Sequence, residues 1–148
     1  MSILAIATIV SVGLMLGAEF AVWAFINPNL WKLEEPARAE AVRLFARRLG
    51  AAMPFWYVGN FLLLLAEFFL LPGRPATQFL LAALGIWVAV IVLTLIFLLP
   101  VNNRLARQGS GLSLDEAHRQ HRRWDAMHRA RVVALGIAFV LLLLAVRA

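Results

Sequence analysis

Four long apolar segments occupy most of this 148-residue chain and limit the folds that it can adopt. A helix that crosses a bilayer needs about 20 apolar residues, and a soluble domain of this size has no core that buries four such segments. Charged residues make up only 15% of the sequence, against about 25% in soluble proteins. The sequence therefore predicts an all-α fold, a four-helix transmembrane bundle that forms one domain over residues 1–148.

The predicted spans cover about residues 3–26, 50–71, 77–99 and 126–147. The first span is expected to end at Pro28, because proline cannot donate the next helical hydrogen bond. Residues 35–48 place Val42, Phe45 and Leu49 on one side and most arginines elsewhere, which predicts a short interfacial helix after the first span. The fourth helix is predicted to be long and to extend beyond the membrane on the cytoplasmic side.

Lysine and arginine are distributed unequally among the predicted loops, with five in the first, one in the second and seven in the third. The positive-inside rule then places loops one and three in the cytoplasm and both termini outside, in an inner-type plasma membrane. The net charge of +6 fits contact with lipid headgroups. We expect membrane lipids and a lipophilic small molecule as partners, and no nucleic acid; a homo-oligomer is compatible with the sequence.

Three polar side chains, Glu19, Asn60 and Glu67, lie inside predicted spans. An ionised carboxylate in hydrocarbon is costly unless it is paired, solvated, protonated or bound to a metal, so such residues often mark functional sites. The alternative for Glu19 is a structural ion pair with arginine or histidine. Asn60 and Glu67 share a helix face, but Glu67 is expected near the opposite membrane surface, and its function stays open.

All three histidines lie on one predicted helix face together with an aspartate, at spacings of three, four and three residues: His118, His121, Asp125 and His128. Such pairs can chelate Fe, Cu or Zn, which makes His121, Asp125 and His118 candidate metal ligands. The sequence has no cysteine, which excludes thiolate sites. Two alternatives stay open: a solvated or headgroup-binding helix, and proton transfer with His128, close to Arg131, as the base.

Aromatic residues near the predicted span ends indicate either an aromatic belt or a binding pocket. Trp124, Trp56 and Tyr57 are best placed to line a pocket for a flat aromatic substrate, with Asn60 as a further contact. The sequence contains no flavin or nicotinamide motif. The cofactor prediction is therefore either none or a metal bound by histidine and carboxylate.

Three stretches of the chain are similar to a known family: residues 13–20 leading to 28–30, residues 99–105, and Trp124 with His128 and Arg131. They resemble the small four-span membrane proteins related to the anthrone oxygenases, whose characterised members oxidise anthrones to anthraquinones. The resemblance implies an oxidoreductase that uses dioxygen on a lipophilic aromatic. Such chemistry needs a base, donors for an oxyanion and an apolar wall.

Residues of this chain fit each of these needs. His128 fits the base, and Trp124 and Trp56 fit the wall, while the donors would be Asn102, Asn103 and Arg131. Glu19 completes the candidate catalytic group, in a pocket on the cytoplasmic side. The alternative function is a non-enzymatic membrane module that transports a small solute, binds lipid or assists assembly.

Overall fold

The computed structural model describes residues 2–70, 74–106 and 114–148, and every secondary-structure element in these ranges is helical. Four helices are long and apolar enough to cross a membrane. We name them spans 1 to 4, in order Ile3–Leu30, Glu35–Leu70, Pro75–Val101 and Arg122–Arg147. The predicted all-α bundle with four spanning helices is confirmed.

The four spans pack around a shared apolar core. Span 4 lies along spans 3 and 1, and span 2 packs against spans 1 and 3. The largest buried side chains come from all four spans and include Met15, Leu64, Leu80, Trp87 and Leu142. Many large apolar side chains remain exposed on the outside of the bundle, where lipid tails replace water as the neighbouring medium.

Span 1 continues through its proline instead of ending there. Its helical segments are Ile3–Ala21 in α form, Val22–Ile26 in π form and Asn27–Leu30 in α form. The N–H of Asn27 donates to the carbonyl of Val22, five residues earlier. This wider turn shifts the hydrogen-bond register just before Pro28, so the missing N–H no longer ends the helix. The predicted end of this span was therefore too early.

The helix of span 3 also contains a π-helical turn shortly before a proline. It consists of Arg74–Leu93 in α form, Thr94–Leu98 in π form and Leu99–Ala106 in α form. The Leu99 N–H donates to the carbonyl of Thr94, and Pro100 follows. In both spans the proline comes two residues after the last residue of the π-helical turn. Wide turns of this kind are frequent at functional sites, and both of these border the cavity described below.

Residues 35–70 form one continuous 36-residue helix, Glu35–Leu70, with Pro54 in its interior. The predicted interfacial helix is the first part of this helix, not a separate element. Its apolar side, with Val42, Phe45 and Leu49, covers a cavity inside the bundle. That packing explains why the chain does not turn away along the membrane surface. The fourth helix, Leu114–Arg147, is long, as the sequence predicts.

Candidate functional site

A cavity of about 290 Å³ lies where the four spans meet. Most of its wall is apolar, from residues such as Val22, Ile26, Leu49 and Met53. A small group of polar side chains forms the rest, which is the usual composition of a small-molecule site. We call five of these residues, one or more from each span, the Glu19 cluster: Glu19, Tyr57, Thr94, His128 and Arg131.

The Glu19 carboxylate is the centre of this cluster and is only 2% exposed. The Tyr57 hydroxyl donates to Oε1 at 2.9 Å, and the Arg131 guanidinium donates through Nη2 to Oε2 at 2.6 Å. The second contact is a buried salt bridge between spans 1 and 4. Each carboxylate oxygen therefore has a donor, and the arginine compensates the negative charge.

Arg131 connects the carboxylate to the remaining members of the cluster. Its Nη1 donates to the Thr94 hydroxyl at 3.4 Å, and its guanidinium carbon lies 5.7 Å from the centre of the Tyr57 ring. Thr94 in turn donates to the Val90 carbonyl at 2.7 Å. The Arg131 Nε is buried without a hydrogen-bond partner among the residues that the structure describes. Because the atom is buried, a bound oxygen atom would satisfy this N–H only after a shift of the neighbouring side chains.

The contacts of His128 define its tautomer. Its Nε2 lies 3.2 Å from the backbone carbonyl oxygen of Glu19, which can only accept, so Nε2 carries the proton. Its Nδ1 lies 2.9 Å from Arg131 Nη2, which can only donate, so Nδ1 is the acceptor. Nδ1 is also 3.5 Å from Glu19 Oε2, but a protonated ring would leave a second buried positive charge beside one carboxylate. His128 is therefore neutral here.

Trp124 and Asp125 support His128 from the preceding turn of span 4. The Trp124 ring stacks on the imidazole at 4.9 Å with an interplanar angle of 6°. Asp125 accepts from the Asn27 amide at 3.2 Å and pairs with Arg129. The first of these contacts ties the end of span 1 to span 4. The ring of His128 is thus fixed from one face and at both nitrogens.

The sequence matches the anthrone oxygenase family over residues 42–141. The chain belongs to this family. No curated protein and no solved structure matches it. The anthrone oxygenase match includes four members of the Glu19 cluster, and Glu19 itself lies before its first residue.

Two residues predicted to contact substrate lie away from the cavity. Asn60 is fully buried, accepts from the Ser11 hydroxyl at 2.6 Å and donates to the Met15 sulfur at 3.4 Å. Trp56 donates to the same Ser11 hydroxyl at 3.2 Å. Both residues therefore connect spans 1 and 2 through Ser11, whereas Tyr57 lines the cavity. The wall role of Trp56 and the substrate role of Asn60 do not fit this arrangement.

We expect Asn60→Ala to weaken the fold without changing the apparent substrate affinity. Ser11 would keep a half-buried hydroxyl that has lost its acceptor, at a cost of about 1–3 kcal/mol. Thermal unfolding of the purified variant, together with KM in any assay of the protein's activity, tests this expectation. A raised KM at unchanged stability would return Asn60 to the binding site.

The structure describes the side chain of one of the two predicted asparagine donors. Asn103 is exposed and is not among the residues that line the cavity. Asn102 lies in the helical segment Leu99–Ala106, and its side chain is outside the described part of the structure. Of the three predicted oxyanion donors, the structure places Arg131 in the wall of the cavity.

The predicted metal ligands are described only in part. The side chains of His118 and His121 lie outside the described residues. Within the described ranges, no group of three or more histidine, aspartate or glutamate side chains is arranged to hold a metal ion. Both Asp125 oxygens already have partners in Asn27 and Arg129, so metal binding there would have to replace these contacts.

Sequence reasoning missed Thr94 and Asn27 as parts of the site. Both lie at the π-helical turns, Thr94 as the first residue of one and Asn27 directly after the other. Pro28 and Pro100, each inside a long apolar helix, are the signal that marks these positions. Glu67 lies outside the site: it is buried and contacts the Thr8 hydroxyl at 3.5 Å.

Proposed function

We propose that this protein catalyses the dioxygen-dependent oxidation of a lipophilic, anthrone-like aromatic in the cavity beside the Glu19 cluster. The observation that carries the proposal is the pairing of a largely apolar cavity with a buried carboxylate, phenol and guanidinium on one wall. Membership of the anthrone oxygenase family supports the same reaction class. The volume of about 290 Å³ is at the small end of the range for small-molecule sites.

Glu19 is the base in this proposal. An anthrone has an acidic CH₂ group opposite its carbonyl, and loss of one proton spreads negative charge onto that oxygen. Glu19 lines the cavity and is the only cluster member that carries a negative charge. The sequence favoured His128, but its single acceptor nitrogen, Nδ1, accepts from Arg131, and its Nε2 donates to the Glu19 carbonyl. Each Glu19 carboxylate oxygen accepts from one donor and keeps a second lone pair. We therefore propose that the Glu19 carboxylate accepts the proton from the anthrone CH₂ group, and that His128 positions Glu19 and Arg131.

Arg131 and Tyr57 would form hydrogen bonds with the anthrone anion after it has lost its proton. The Arg131 Nε–H has no partner among the described residues, and it can donate to the substrate oxygen once a small shift of the neighbouring side chains uncovers this buried atom. The guanidinium is already positioned by Glu19 and Thr94. Because the Tyr57 hydroxyl donates to Glu19, its oxygen can accept from a phenolic substrate. Preorganised donors in a water-poor cavity stabilise charge more strongly than donors in water.

The reaction balances with dioxygen as the sole oxidant. The carbanion transfers electrons to dioxygen, and formation of a carbon–oxygen bond gives a hydroperoxide. Loss of the remaining hydrogen with cleavage of the oxygen–oxygen bond yields the carbonyl of the quinone and one water molecule. The apolar wall contributes by dissolving dioxygen and by stacking on the flat substrate.

The proposal predicts that the purified protein in lipid vesicles converts an anthrone to its anthraquinone with consumption of one dioxygen per product. Absorbance of the quinone and an oxygen electrode measure both quantities, and the spontaneous rate without protein is subtracted. A rate with the wild-type protein no higher than this spontaneous rate would reject the proposed anthrone oxidation and favour a non-enzymatic membrane module.

Elemental analysis of the same preparation distinguishes the two cofactor alternatives. Active protein free of Fe, Cu and Zn supports the cofactorless reaction. A stoichiometric metal that is lost in His121→Ala and Asp125→Ala, together with activity, supports the metal-assisted branch. In that branch His121, Asp125 and His118 would be the ligands to examine first.

A further inference from the structure

We propose that the substrate reaches the cavity sideways from the hydrocarbon layer, through an opening between spans 2 and 3. This inference rests on the proposed function, because it concerns the same cavity and specifies which molecules can enter it. The admitted class is apolar aromatics already dissolved in the bilayer. Water-soluble aromatics of the same shape would be excluded.

The exposure of the cavity-lining residues locates the opening. The exposed ones all belong to the helices of spans 2 and 3: Phe45, Gly50, Pro54, Val58, Leu95 and Leu99. The described lining residues of spans 1 and 4 are buried or half-buried. A residue that both lines a cavity and faces outward lies at its rim. The cavity therefore opens on the side of the bundle between spans 2 and 3.

Val58 on span 2 and Leu95 on span 3 are two of the rim residues, and they are 55% and 57% exposed. Each directly follows a member of the Glu19 cluster in the sequence, Val58 after Tyr57 and Leu95 after Thr94. On each of these two spans, the rim and the polar wall are therefore only about one residue apart. A molecule that passes over the rim beside either side chain arrives next to Tyr57 or Thr94.

The rim is suited to apolar molecules. The six exposed rim residues have no charged or hydrogen-bonding side chain, so a hydrated solute would lose its water without compensation there. Gly50 adds no side chain to the span 2 side of the rim, and a Cβ added there would meet no atom within 4 Å. The space beside Gly50 is open. An aromatic dissolved among lipid tails pays no such desolvation cost.

Bulky substitutions at the rim test the route. We expect Val58→Trp and Leu95→Trp in lipid vesicles to lower kcat/KM for the anthrone about tenfold, because narrowing slows access to the site. Leu62→Trp and Val92→Trp are matched controls, since both residues are exposed on the same two spans and neither lines the cavity. The controls are expected to retain the wild-type value.

Two further variants guard against a folding defect. Val58→Ala and Leu95→Ala widen the rim, and we expect kcat/KM at or above the wild-type value. Thermal unfolding of all six variants shows that they are folded. Equal losses in the rim and control tryptophan variants, or a wild-type kcat/KM in both rim tryptophan variants, would overturn the inference.

A labelling experiment separates this inference from the proposed function, because it needs no turnover. An aryl diazirine that partitions into the vesicle bilayer is photolysed, and the labelled peptides are identified by mass spectrometry. Because Val58 and Leu95 face outward, fragmentation must assign the label to single residues. We expect label on Tyr57 and Thr94 themselves in wild type, and its loss at these two residues in the rim tryptophan variants. That pattern without quinone formation supports the lateral opening and rejects the oxidase. Undiminished cavity labelling in both rim variants rejects the opening.

Discussion

Arg131→Met is expected to destabilise the protein by about 3–5 kcal/mol, because it leaves the Glu19 carboxylate buried without its ion-pair partner. Glu19 is 2% exposed and Arg131 9% exposed, so water cannot replace the lost contact. The variant also removes the donors to Thr94 and His128. Thermal unfolding in detergent, followed by circular dichroism, measures the loss of stability.

The double variant Glu19→Gln/Arg131→Met provides the control for this interpretation. Removing both charges avoids an uncompensated buried ion, so we expect much of the stability lost in Arg131→Met to return, although activity does not. Arg131→Lys keeps the charge but cannot contact Glu19, Thr94 and His128 in the same geometry, and an intermediate stability is expected. A double variant no more stable than Arg131→Met would show that the pair matters through packing instead of charge.

Glu19→Gln is expected to lower turnover of the anthrone by about 10²–10⁴-fold, the usual contribution of a positioned general base. Glutamine has nearly the same shape and keeps an oxygen that can accept from Tyr57, but it leaves the Arg131 charge without its counter-ion, so we expect a loss of stability as well. Thermal unfolding sets an assay temperature at which the variant is still folded. The expected loss is in kcat, with KM changed much less. Initial rates of quinone formation over a range of anthrone concentrations measure both parameters.

Glu67→Gln is the matched control for Glu19→Gln. Glu67 is a second buried carboxylate in the bundle, but its described contact is the Thr8 hydroxyl, and it does not line the cavity. We expect its amide variant to turn over like wild type. Equal losses in both variants would mean that any buried carboxylate supports activity through the fold, and Glu19 would lose its assignment as base.

Much of the site could be predicted because membranes make polarity costly. Glu19, His128 and Arg131 stood out as titratable groups in or beside apolar segments, and the structure brings these three together with Tyr57. Trp124 was predicted to line the substrate pocket, and in the structure it is one of the cavity-lining residues and stacks on the His128 ring. Only pairing or solvation makes such groups tolerable in hydrocarbon, so their convergence follows from elementary energetics.

The remaining parts depend on depth and register, which a single helix pattern does not contain. Trp56 and Tyr57 are neighbours in sequence but point about 100° apart on a helix, and only Tyr57 lines the cavity. Asn60 shares a face with Tyr57 but lies about one turn deeper, beside Ser11. The π-helical turn at Thr94 changes the register of span 3, which helical periodicity could not show.

An experimental map of the protein with bound anthraquinone tests the central claim most directly. We expect flat density inside the cavity, between Met53 and His128. A quinone oxygen should lie within hydrogen-bonding distance of Arg131 Nε or the Tyr57 hydroxyl. Density confined to the lipid-facing surface, with the cavity closed by packed side chains, would contradict it.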